Sequence, residues 1–486
     1  MLFNSYEFIF AFLPLTFFIY FFLLNKRLLV GAKGFLVFAS LFFYSWWNIA
    51  YLPIILSSML FNYVVGNSLN SNFKKVQIHK KGLLAFGILT NLSLLGYFKY
   101  ADFFISNVNI LANTNIGLLS LALPLAISFF TFQQIAYLVD SYRAETAEYD
   151  FLNYALFVTF FPQLIAGPIV HHKEMMPQFA SKWNLVKNYN NIALGLFIFS
   201  MGLFKKIVIA DNFAVWATTG FDKAESLNML AAWATSLSYT FQLYFDFSGY
   251  TDMAIGAALL FNIKLPINFN SPYKAKDIQD FWRRWHITLS RFLRDYIYIP
   301  LGGNRIVEYK VLTNLMITFI IGGLWHGAGW TFIFWGFLHG TALVAHRIWK
   351  KLGFTMNSIL AWVITFNFIN ISWVFFRAKE WDDALKVISG MFGLSGIMLP
   401  EKWASTLTFL SGYNIKFGTV FQDIAGQDKT ITFIVAAFIM ILYFKNSMEH
   451  GDNFKPTYKY LIFTLVMLLI SISMFSQVSE FLYFNF

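Results

Sequence analysis

Apolar stretches long enough to cross a bilayer recur along almost the whole chain, and they constrain its fold more than any other feature. A membrane-crossing helix needs about 20 mostly apolar residues. Of the 486 residues, 58% are hydrophobic and only 13% are charged, whereas soluble globular chains carry about a quarter charged residues. The sequence therefore predicts an all-α polytopic membrane protein with about 11 to 13 transmembrane or re-entrant helices, together with interfacial amphipathic helices.

The candidate spans are short apolar segments separated by polar loops. They lie at 7–24, 35–50, 53–69, 83–99, 117–139, 152–170, 191–210, 229–261, 311–332, 332–349, 358–377, 431–444 and 460–476. The stretch 229–261 is too long for one simple crossing, which predicts two segments or one broken helix. Pro162, Gly167 and Pro168 predict a broken or re-entrant helix at 152–170, where protein or a water-filled cavity must satisfy the backbone.

The basic residues set the expected orientation. Lysines and arginines follow the first and third candidate spans and precede the last one, whereas the loop 101–116 has none. By the positive-inside rule the basic loops are cytoplasmic, so both termini are expected on the outer side. Such loops and their anionic lipid contacts account for the net charge of +11, and no nucleic-acid partner is expected. No basic residue precedes Lys26, so the first span reads as retained and not as a cleaved signal.

One membrane domain is expected over residues 1–486, and three of its segments depart from the apolar pattern. The segment 262–310 is polar and rich in Arg and Pro, which favours an interfacial location. The segment 398–429 is a long loop on the extracytoplasmic side by the charge argument. The segment 477–486 is an outward-facing aromatic tail. The chain has no cysteine, which excludes disulfides, a cysteine nucleophile and thiolate metal sites.

A histidine lies among small and aromatic residues inside one candidate span. His326 occupies the segment 322–330, GGLWHGAGW, in which Gly323 and Gly327 flank it closely. A histidine at bilayer depth is costly unless it faces a cavity or a partner, and small neighbours let a backbone or a narrow substrate approach it. Imidazole also suits general-base chemistry near neutral pH. Two interpretations stay open here: a catalytic base, or a packed interhelical histidine.

A basic aromatic segment covers residues 281–295. Its candidate site residues are Arg283, Arg284, Trp285, His286, Arg291 and Arg294. On a helix, one stripe is shared by Arg284, Thr288, Arg291 and Asp295. This stripe favours either an interfacial helix with snorkelling arginines or a basic mouth for a phosphate-bearing donor such as a coenzyme, with His286 near the path to the reaction centre.

Two acids lie six residues apart in apolar surroundings. Asp246 and Asp252 flank Ser248 in the segment 242–252, QLYFDFSGYTD. The acids could pair with the arginines, line a polar channel or orient a histidine, and structural pairing is favoured. The pattern does not match metal-ligand spacing, so no metal is expected.

The tail ends in aromatic residues around Tyr483. An aromatic belt at the membrane surface is the simpler interpretation. A tyrosine on a short tether can also dip into an outward cavity, where its acyl ester would be more activated than an alkyl ester because a phenol has a pKa near 10. Such a covalent relay divides one hard transfer into two easier ones.

Several motifs together resemble the membrane-bound O-acyltransferase family, and most closely its bacterial branch that acetylates exported polysaccharides. These motifs are FPQLIAGPI at 161–169, DFSGY at 246–250, NFNSPY at 268–273, FWRRWH at 281–286, YIPLGGNR at 298–305 and GLWHG at 323–327. The resemblance implies a ring of tilted helices around a central funnel, no permanently bound cofactor, and acetyl-coenzyme A as the cytoplasmic donor. His326 matches the essential intramembrane histidine of the family, and His286 matches its second signature position.

The resemblance also implies a mechanism in the bacterial cytoplasmic membrane. Arg283, Arg284, Arg291 and Arg294, with Trp285 and Trp325, would bind the donor. His326 would activate an acceptor hydroxyl, most simply that of Tyr483, because the tail resembles the acyl-carrying C-terminus of a teichoic-acid D-alanylation partner. A separate extracytoplasmic acetyltransferase would then modify the glycan. Asp246, Ser248, Asp252, Gly323 and Gly327 would support the site.

Alternatives remain for the substrate and for the class of protein. Peptidoglycan is preferred over alginate or another exopolysaccharide because the Asn-, Ile-, Lys- and Phe-rich composition suggests an AT-rich genome. A transporter or flippase would also have broken helices and buried charges, although no inverted repeat is visible. A haem or quinone oxidoreductase could use His286, His326, His339 and His346 as ligands, but helix-end and core histidines are the more ordinary explanation.

Overall fold

The structure is a computed structural model that describes residues 1–70, 79–146, 150–165, 167–413, 415–475 and 481–482. It is 74% helical, and its short β-structure is one parallel pair, β1 (Ile397–Pro400) with β2 (Ile415–Gly418). Five described helices are long and apolar enough to cross a membrane. The predicted class, an all-α polytopic membrane protein, is confirmed. The number of crossings and the funnel stay predictions.

The first part of the chain forms short and medium helices. They are α1 (Leu13–Asn25), α2 (Leu29–Ser45), α3 (Leu52–Asn70), α4 (Lys80–Leu95), α5 (Ala101–Ala112), α6 (Ile127–Tyr142), α7 (Phe151–Thr159), α8 (Phe161–Leu164), α9 (His172–Ala180), α10 (Tyr189–Phe204) and α11 (Asp211–Thr218). Single π-helical turns join some of them, and the turn Lys205–Ala210 makes Tyr189–Lys223 one continuous run.

The second part of the chain contains the longest helices. They are α12 (Met229–Leu260), α13 (Ile278–Arg284), α14 (Ile287–Leu293), α15 (Glu308–His326), α16 (Trp330–Lys351), α17 (Ser358–Arg377), α18 (Trp381–Met391), α19 (Lys429–Tyr443), α20 (Ser447–Asp452) and α21 (Tyr458–Ser473). The two strands and several 3₁₀ turns lie between α18 and α19, in the segment predicted as an extracytoplasmic loop.

Three predicted spans can be compared with the structure in detail. The helix α12 has 32 residues without a break, so the prediction of two segments or a broken helix at 229–261 is wrong. The predicted span 117–139 begins too early, because the helix starts only at Ile127, after Ala126 in a left-handed conformation. The broken helix at 152–170 is confirmed, since α7 ends at Thr159 and only the short α8 follows.

The described chain divides into two compact units. The first comprises residues 1–203, 250–267 and 451–486, and the second comprises residues 204–249 and 268–450. The first unit has a phenylalanine-rich core in which Phe3, Phe8 and Phe43 lie with ring centroids 4.9–5.6 Å apart. The second unit buries Trp285, Trp335 and Trp373, with at most 1% of each side chain exposed. Both histidines singled out from the sequence lie in this second unit.

Candidate active site

His326 is the last residue of α15 and lies in an aromatic enclosure. Only 3% of the residue is exposed. Its imidazole centroid lies 4.9 Å from that of Trp325, 5.2 Å from Trp335 and 5.0 Å from Phe376. These apolar rings exclude water from most of the imidazole surface. Electrostatic interactions are stronger in such surroundings than in water. A base placed there would act on a reacting group that is also shielded from solvent.

Glycines let the helix that carries His326 pack directly against α16. A Cβ atom at Gly323 would lie 2.3 Å from the carbonyl oxygen of Phe332, and one at Gly336 would lie 2.3 Å from the carbonyl oxygen of Phe319. Real Cβ atoms do not approach backbone so closely, so these two positions require glycine. At Gly327 a Cβ would strike the Phe332 ring at 2.1 Å. The small residues flanking His326 therefore serve close helix packing, which fixes the position of the imidazole.

His286 does not lie within a continuous helix. The helix α13 ends at Arg284, and α14 begins at Ile287. Between them His286 adopts a left-handed backbone conformation with φ 43° and ψ 54°, which costs about 1–2 kcal/mol for an L-residue. The predicted stripe of Arg284, Thr288 and Arg291 on one helix is therefore wrong.

The break is held open by Asn268. The carbonyl oxygen of Asn268 accepts a hydrogen bond from the Ile287 amide at 3.0 Å, and its side-chain oxygen accepts from the Thr288 amide at 3.2 Å. The same oxygen lies 3.2 Å from Nδ1 of His286. These bonds connect residues about twenty positions apart, and they replace the helical bonds that a continuous helix would have made.

The hydrogen-bond pattern also fixes the tautomer of His286. A backbone amide can only donate, so the Asn268 atom that meets Thr288 is the amide oxygen and an acceptor. Nδ1 of His286 must then carry the hydrogen, which leaves the lone pair on Nε2. Burial lowers the pKa of His286 to about 3 because desolvation disfavours the imidazolium ion. His286 is therefore a neutral imidazole across the physiological pH range.

The two signature histidines approach the same indole ring. The Trp325 centroid lies 6.3 Å from the His286 imidazole and 4.9 Å from the His326 imidazole. Phe247 of α12 covers His286 from another side, edge-on at 4.8 Å. The second unit thus brings together two buried histidines that lie forty residues apart in the sequence.

A basic cleft of about 490 Å³ lies along α14 and α15. Its charged lining residues are Arg283, Arg291 and Arg294. Apolar and aromatic side chains that include Trp282, Leu293 and Phe319 also line it. A cleft lined by both guanidinium groups and apolar side chains suits an anionic ligand that also carries an apolar part.

The remaining donor-binding candidates lie elsewhere in the second unit. The Arg284 guanidinium forms an ion pair with Asp280 at 2.9 Å. The Trp285 side chain is 1% exposed and packs on Trp373, with ring centroids 5.0 Å apart. The Trp325 ring contacts His326 and lies 6.3 Å from the His286 ring. None of these three side chains lines the cleft as described, so the role predicted for them as donor contacts gains no support from their positions.

Asp246 forms a buried ion pair, which agrees with the favoured structural role, but its partner is a lysine and not one of the predicted arginines. Its carboxylate lies 2.7 Å from Nζ of Lys206, and the same ammonium group lies 3.0 Å from Asp211. The Lys206 and Asp246 side chains are 3% and 1% exposed. The pair joins α12 to the π-helical turn at Lys205–Ala210. The sequence feature that could have revealed this pair is a lysine at the end of an apolar run, since a charge at bilayer depth needs a partner. Ser248 and Asp252 are also buried.

Breaking this ion pair is expected to destabilise the fold. Lys206→Met leaves two carboxylates without their cation and should cost about 3–5 kcal/mol. Unfolding in detergent can be followed by the fluorescence of the 15 tryptophans. Lys205→Met is the matched control, because the neighbouring ammonium group donates a hydrogen bond to the uncharged hydroxyl of Ser447 at 2.9 Å, and the loss of such a bond should cost about 1 kcal/mol. Equal losses in both variants would contradict a special role for the pair.

His339 has a complete structural explanation. Its Nδ1 accepts a hydrogen bond from the Trp282 indole N–H at 3.2 Å, and its Nε2 lies 3.0 Å from the Ser372 hydroxyl. Both ring nitrogens are therefore used in packing three helices of the second unit, which argues against ligation of a haem. In the described ranges no group of three or more His, Asp or Glu side chains could hold a metal ion.

The C-terminal tail is described only at residues 481–482, so Tyr483 lies outside the described residues. Phe481 is fully buried in the first unit. Its ring centroid lies 4.3 Å from that of Tyr250, whose hydroxyl donates to the side-chain oxygen of Asn4 at 2.8 Å. The residue two positions before Tyr483 is thus packed in protein, unlike a lipid-facing aromatic belt.

Comparison with known proteins gives a consistent result. The model of MBOAT, the membrane-bound O-acyltransferase family, matches residues 8–379. A peptidoglycan O-acetyltransferase from Helicobacter pylori is 53% identical over 521 aligned positions, which cover 100% of this chain and 98% of the relative. A protein named "Probable alginate O-acetylase AlgI" from Azotobacter vinelandii is 39% identical over 84% of this chain and 82% of its own length. A teichoic acid D-alanyltransferase from Streptococcus thermophilus is 29% identical over 50% of this chain and 61% of its own length.

Proposed function

The chain belongs to the membrane-bound O-acyltransferase family, and from this we propose that it transfers acetyl from cytoplasmic acetyl-coenzyme A to an acceptor on the outer side of the membrane. It is a multi-pass membrane enzyme of the O-acyltransferase class. Because the chain belongs to this family, an O-acyltransferase is preferred over the transporter and the oxidoreductase that the sequence left open. The observation that carries the proposal is the position of the basic cleft along α15, the helix that ends in His326.

The donor binds in this cleft. Its phosphates contact Arg283 and Arg291, since guanidinium groups match phosphate geometry. Arg294 lines the same cleft, although its guanidinium group is paired with Asp295 at 2.7 Å. The acyl-bearing arm lies against the apolar lining residues and runs along α15. Support comes from helix geometry: Leu315 and Thr318 line the cleft, and His326 follows them on the same helical stripe at i+11 and i+8.

Phosphate binding predicts a specific effect on the Michaelis constant. Arg283→Ala and Arg291→Ala should each raise the KM for acetyl-coenzyme A about 10-fold, because a hydrogen bond to a charged group contributes about 1.5 kcal/mol or more. Arg284→Ala is the matched control, since that guanidinium is paired with Asp280, and its KM should stay within twofold of the wild type. A KM that rises equally in all three variants, or in none, would contradict this donor site.

His326 acts as the general base. It removes the proton from an acceptor hydroxyl as the oxygen attacks the thioester carbonyl carbon. The C–S bond then breaks, and the coenzyme leaves as its thiol after it receives the proton. His286, a neutral imidazole held by Asn268, lies with its ring centroid 6.3 Å from that of Trp325, and we assign its Nε2 the role of a hydrogen-bond acceptor in the site.

The acceptor is the phenol of Tyr483. Its acetyl ester hands the acyl group to a hydroxyl, such as that of a serine, on a separate extracytoplasmic acetyltransferase that modifies a glycan. Support comes from the burial of Phe481, two residues before Tyr483. The acyl group crosses while the coenzyme stays on the cytoplasmic side, and both termini of the chain face outward.

Peptidoglycan is the preferred glycan. The relative that matches the whole chain at 53% identity is named a peptidoglycan O-acetyltransferase, whereas the alginate-related proteins are 35–39% identical. The test is to delete the gene and to measure ester-linked acetate separately in purified peptidoglycan and in exopolysaccharide. Loss from peptidoglycan alone, restored by the wild-type chain, is expected. Loss from exopolysaccharide alone would replace peptidoglycan by the alternative substrate.

A further inference from the structure

Gly322 is a buried glycine beside open space. Within 4 Å of a Cβ atom built at this position, the described residues provide one atom, the Cδ1 atom of Leu293, at 3.3 Å. The next residue is different, because a Cβ at Gly323 would meet three backbone atoms at 3.1 Å or less. Buried positions are normally surrounded closely on all sides. Gly323 therefore serves helix packing, whereas Gly322 needs another explanation.

The open space lies next to the basic cleft. Leu293, which the described residues place beside the Gly322 position, lines the cleft, and so do Leu315 and Thr318 on the same side of α15 as Gly322. Residues 315, 318, 322 and 326 fall within one narrow stripe of the helix at i, i+3, i+7 and i+11. Gly322 is thus the residue on this stripe between the cleft wall and His326, and it lies about 6 Å along the helix axis from the histidine.

We propose that Gly322 determines which acyl groups reach His326. This inference rests on the proposed function, in which the donor occupies the cleft and its thioester must reach the imidazole. The absent side chain leaves a passage between α15 and the tip of Leu293. An acetyl thioester passes through it, and the length of the acyl group that can follow is set jointly by residue 322 and Leu293.

The contact at 3.3 Å makes the effect of each substitution predictable. The neighbouring atom is the end of a flexible side chain, so an alanine at position 322 can be accommodated when Leu293 moves by a few tenths of an ångström. A valine adds two methyl groups that project into the passage. Shortening Leu293 should widen the passage without touching α15.

The experiment measures turnover of acetyl-, propionyl- and butyryl-coenzyme A by purified full-length protein in detergent. Release of the coenzyme thiol can be followed directly with a thiol reagent, because the chain has no cysteine. Gly322→Val should lower kcat/KM for acetyl-coenzyme A about 10²-fold. Gly322→Ala should lower the butyryl-to-acetyl ratio of kcat/KM, and Leu293→Ala should raise it. The double variant should return this ratio towards the wild-type value.

Gly323→Ala is the structural contrast. It should lower the thermal unfolding midpoint and reduce all three activities in the same proportion. Gly322→Ala, in contrast, should have the wild-type midpoint and a changed acyl preference. The inference is overturned if Gly322→Val keeps the wild-type rates and acyl preference, or if Leu293→Ala leaves the preference of Gly322→Ala unchanged. A wild-type protein that cleaves none of the three thioesters would overturn the proposed function, and this inference with it.

Discussion

His326→Ala should lower the rate of acetyl-coenzyme A cleavage about 10²–10⁴-fold, which is the usual contribution of a positioned general base. The imidazole is enclosed by Trp325, Trp335 and Phe376, so water cannot readily take over the proton. Some loss of stability is also expected, because the imidazole packs against Trp335 of α16 and its removal leaves a cavity, but a protein that stays folded should still show the full loss of rate. Thiol release and the thermal unfolding midpoint, measured on the same preparation, separate the two effects.

His346→Ala is the matched control for this prediction. His346 lies near the end of α16, where its Nε2 is 3.5 Å from Asp277, and it lines a separate cleft of about 470 Å³. Its removal should leave the rate within about twofold of the wild type, as expected for a histidine outside the reaction path. A His326→Ala protein that folds and still cleaves the thioester at a wild-type rate would remove His326 from the mechanism.

Tyr483→Phe should abolish acetylation of the glycan while the protein still folds. The substitution removes one hydroxyl group and keeps the aromatic ring, so an aromatic tail that only anchors the chain would be unaffected. If the phenol carries the acetyl group, no ester can form, and the loss should be about 10²-fold or more, as for other covalent relays deprived of their nucleophile. Ester-linked acetate in purified cell-wall glycan provides the measurement.

Tyr458→Phe serves as the control for the tail. This tyrosine begins α21 and is 84% exposed, so the loss of its hydroxyl should leave glycan acetylation unchanged. Full acetylation in cells that carry Tyr483→Phe would show that the acyl group passes directly to the partner. The O-acyltransferase assignment and the role of His326 would stand in that case.

The helical spans were predictable because hydropathy is a local property. Predicted boundaries at 358–377 and 431–444 agree with α17 and α19 to within two residues. The non-helical stretch before Ile127 was missed, since apolar composition alone does not report that Ala126 has a left-handed backbone. The unbroken α12 was also missed, because its length exceeds that of a simple crossing and its polar residues are buried within the protein.

The sequence indicated candidate residues for the site but not the geometry that they have in the structure. His326 stood out as a histidine at bilayer depth, and its glycines indicated close packing. The break at His286 depends on hydrogen bonds from Asn268, which is distant in sequence, so helical periodicity gave the wrong conformation for 281–295. The partner of Asp246 was missed for the same reason, because Lys206 lies forty residues away in the sequence. The arginines that the sequence offered as partners make other contacts, such as the ion pair of Arg284 with Asp280.

The passage of acetyl from donor to chain can be tested in one measurement. Purified protein is incubated with acetyl-labelled acetyl-coenzyme A, and the label is located by mass spectrometry of its peptides in the wild type and in His326→Ala. The account predicts a covalent acetyl group on Tyr483 in the wild type and none in the variant. Label on Tyr483 that persists without His326, or a wild-type protein that neither cleaves the donor nor becomes labelled with its partner present, would contradict it.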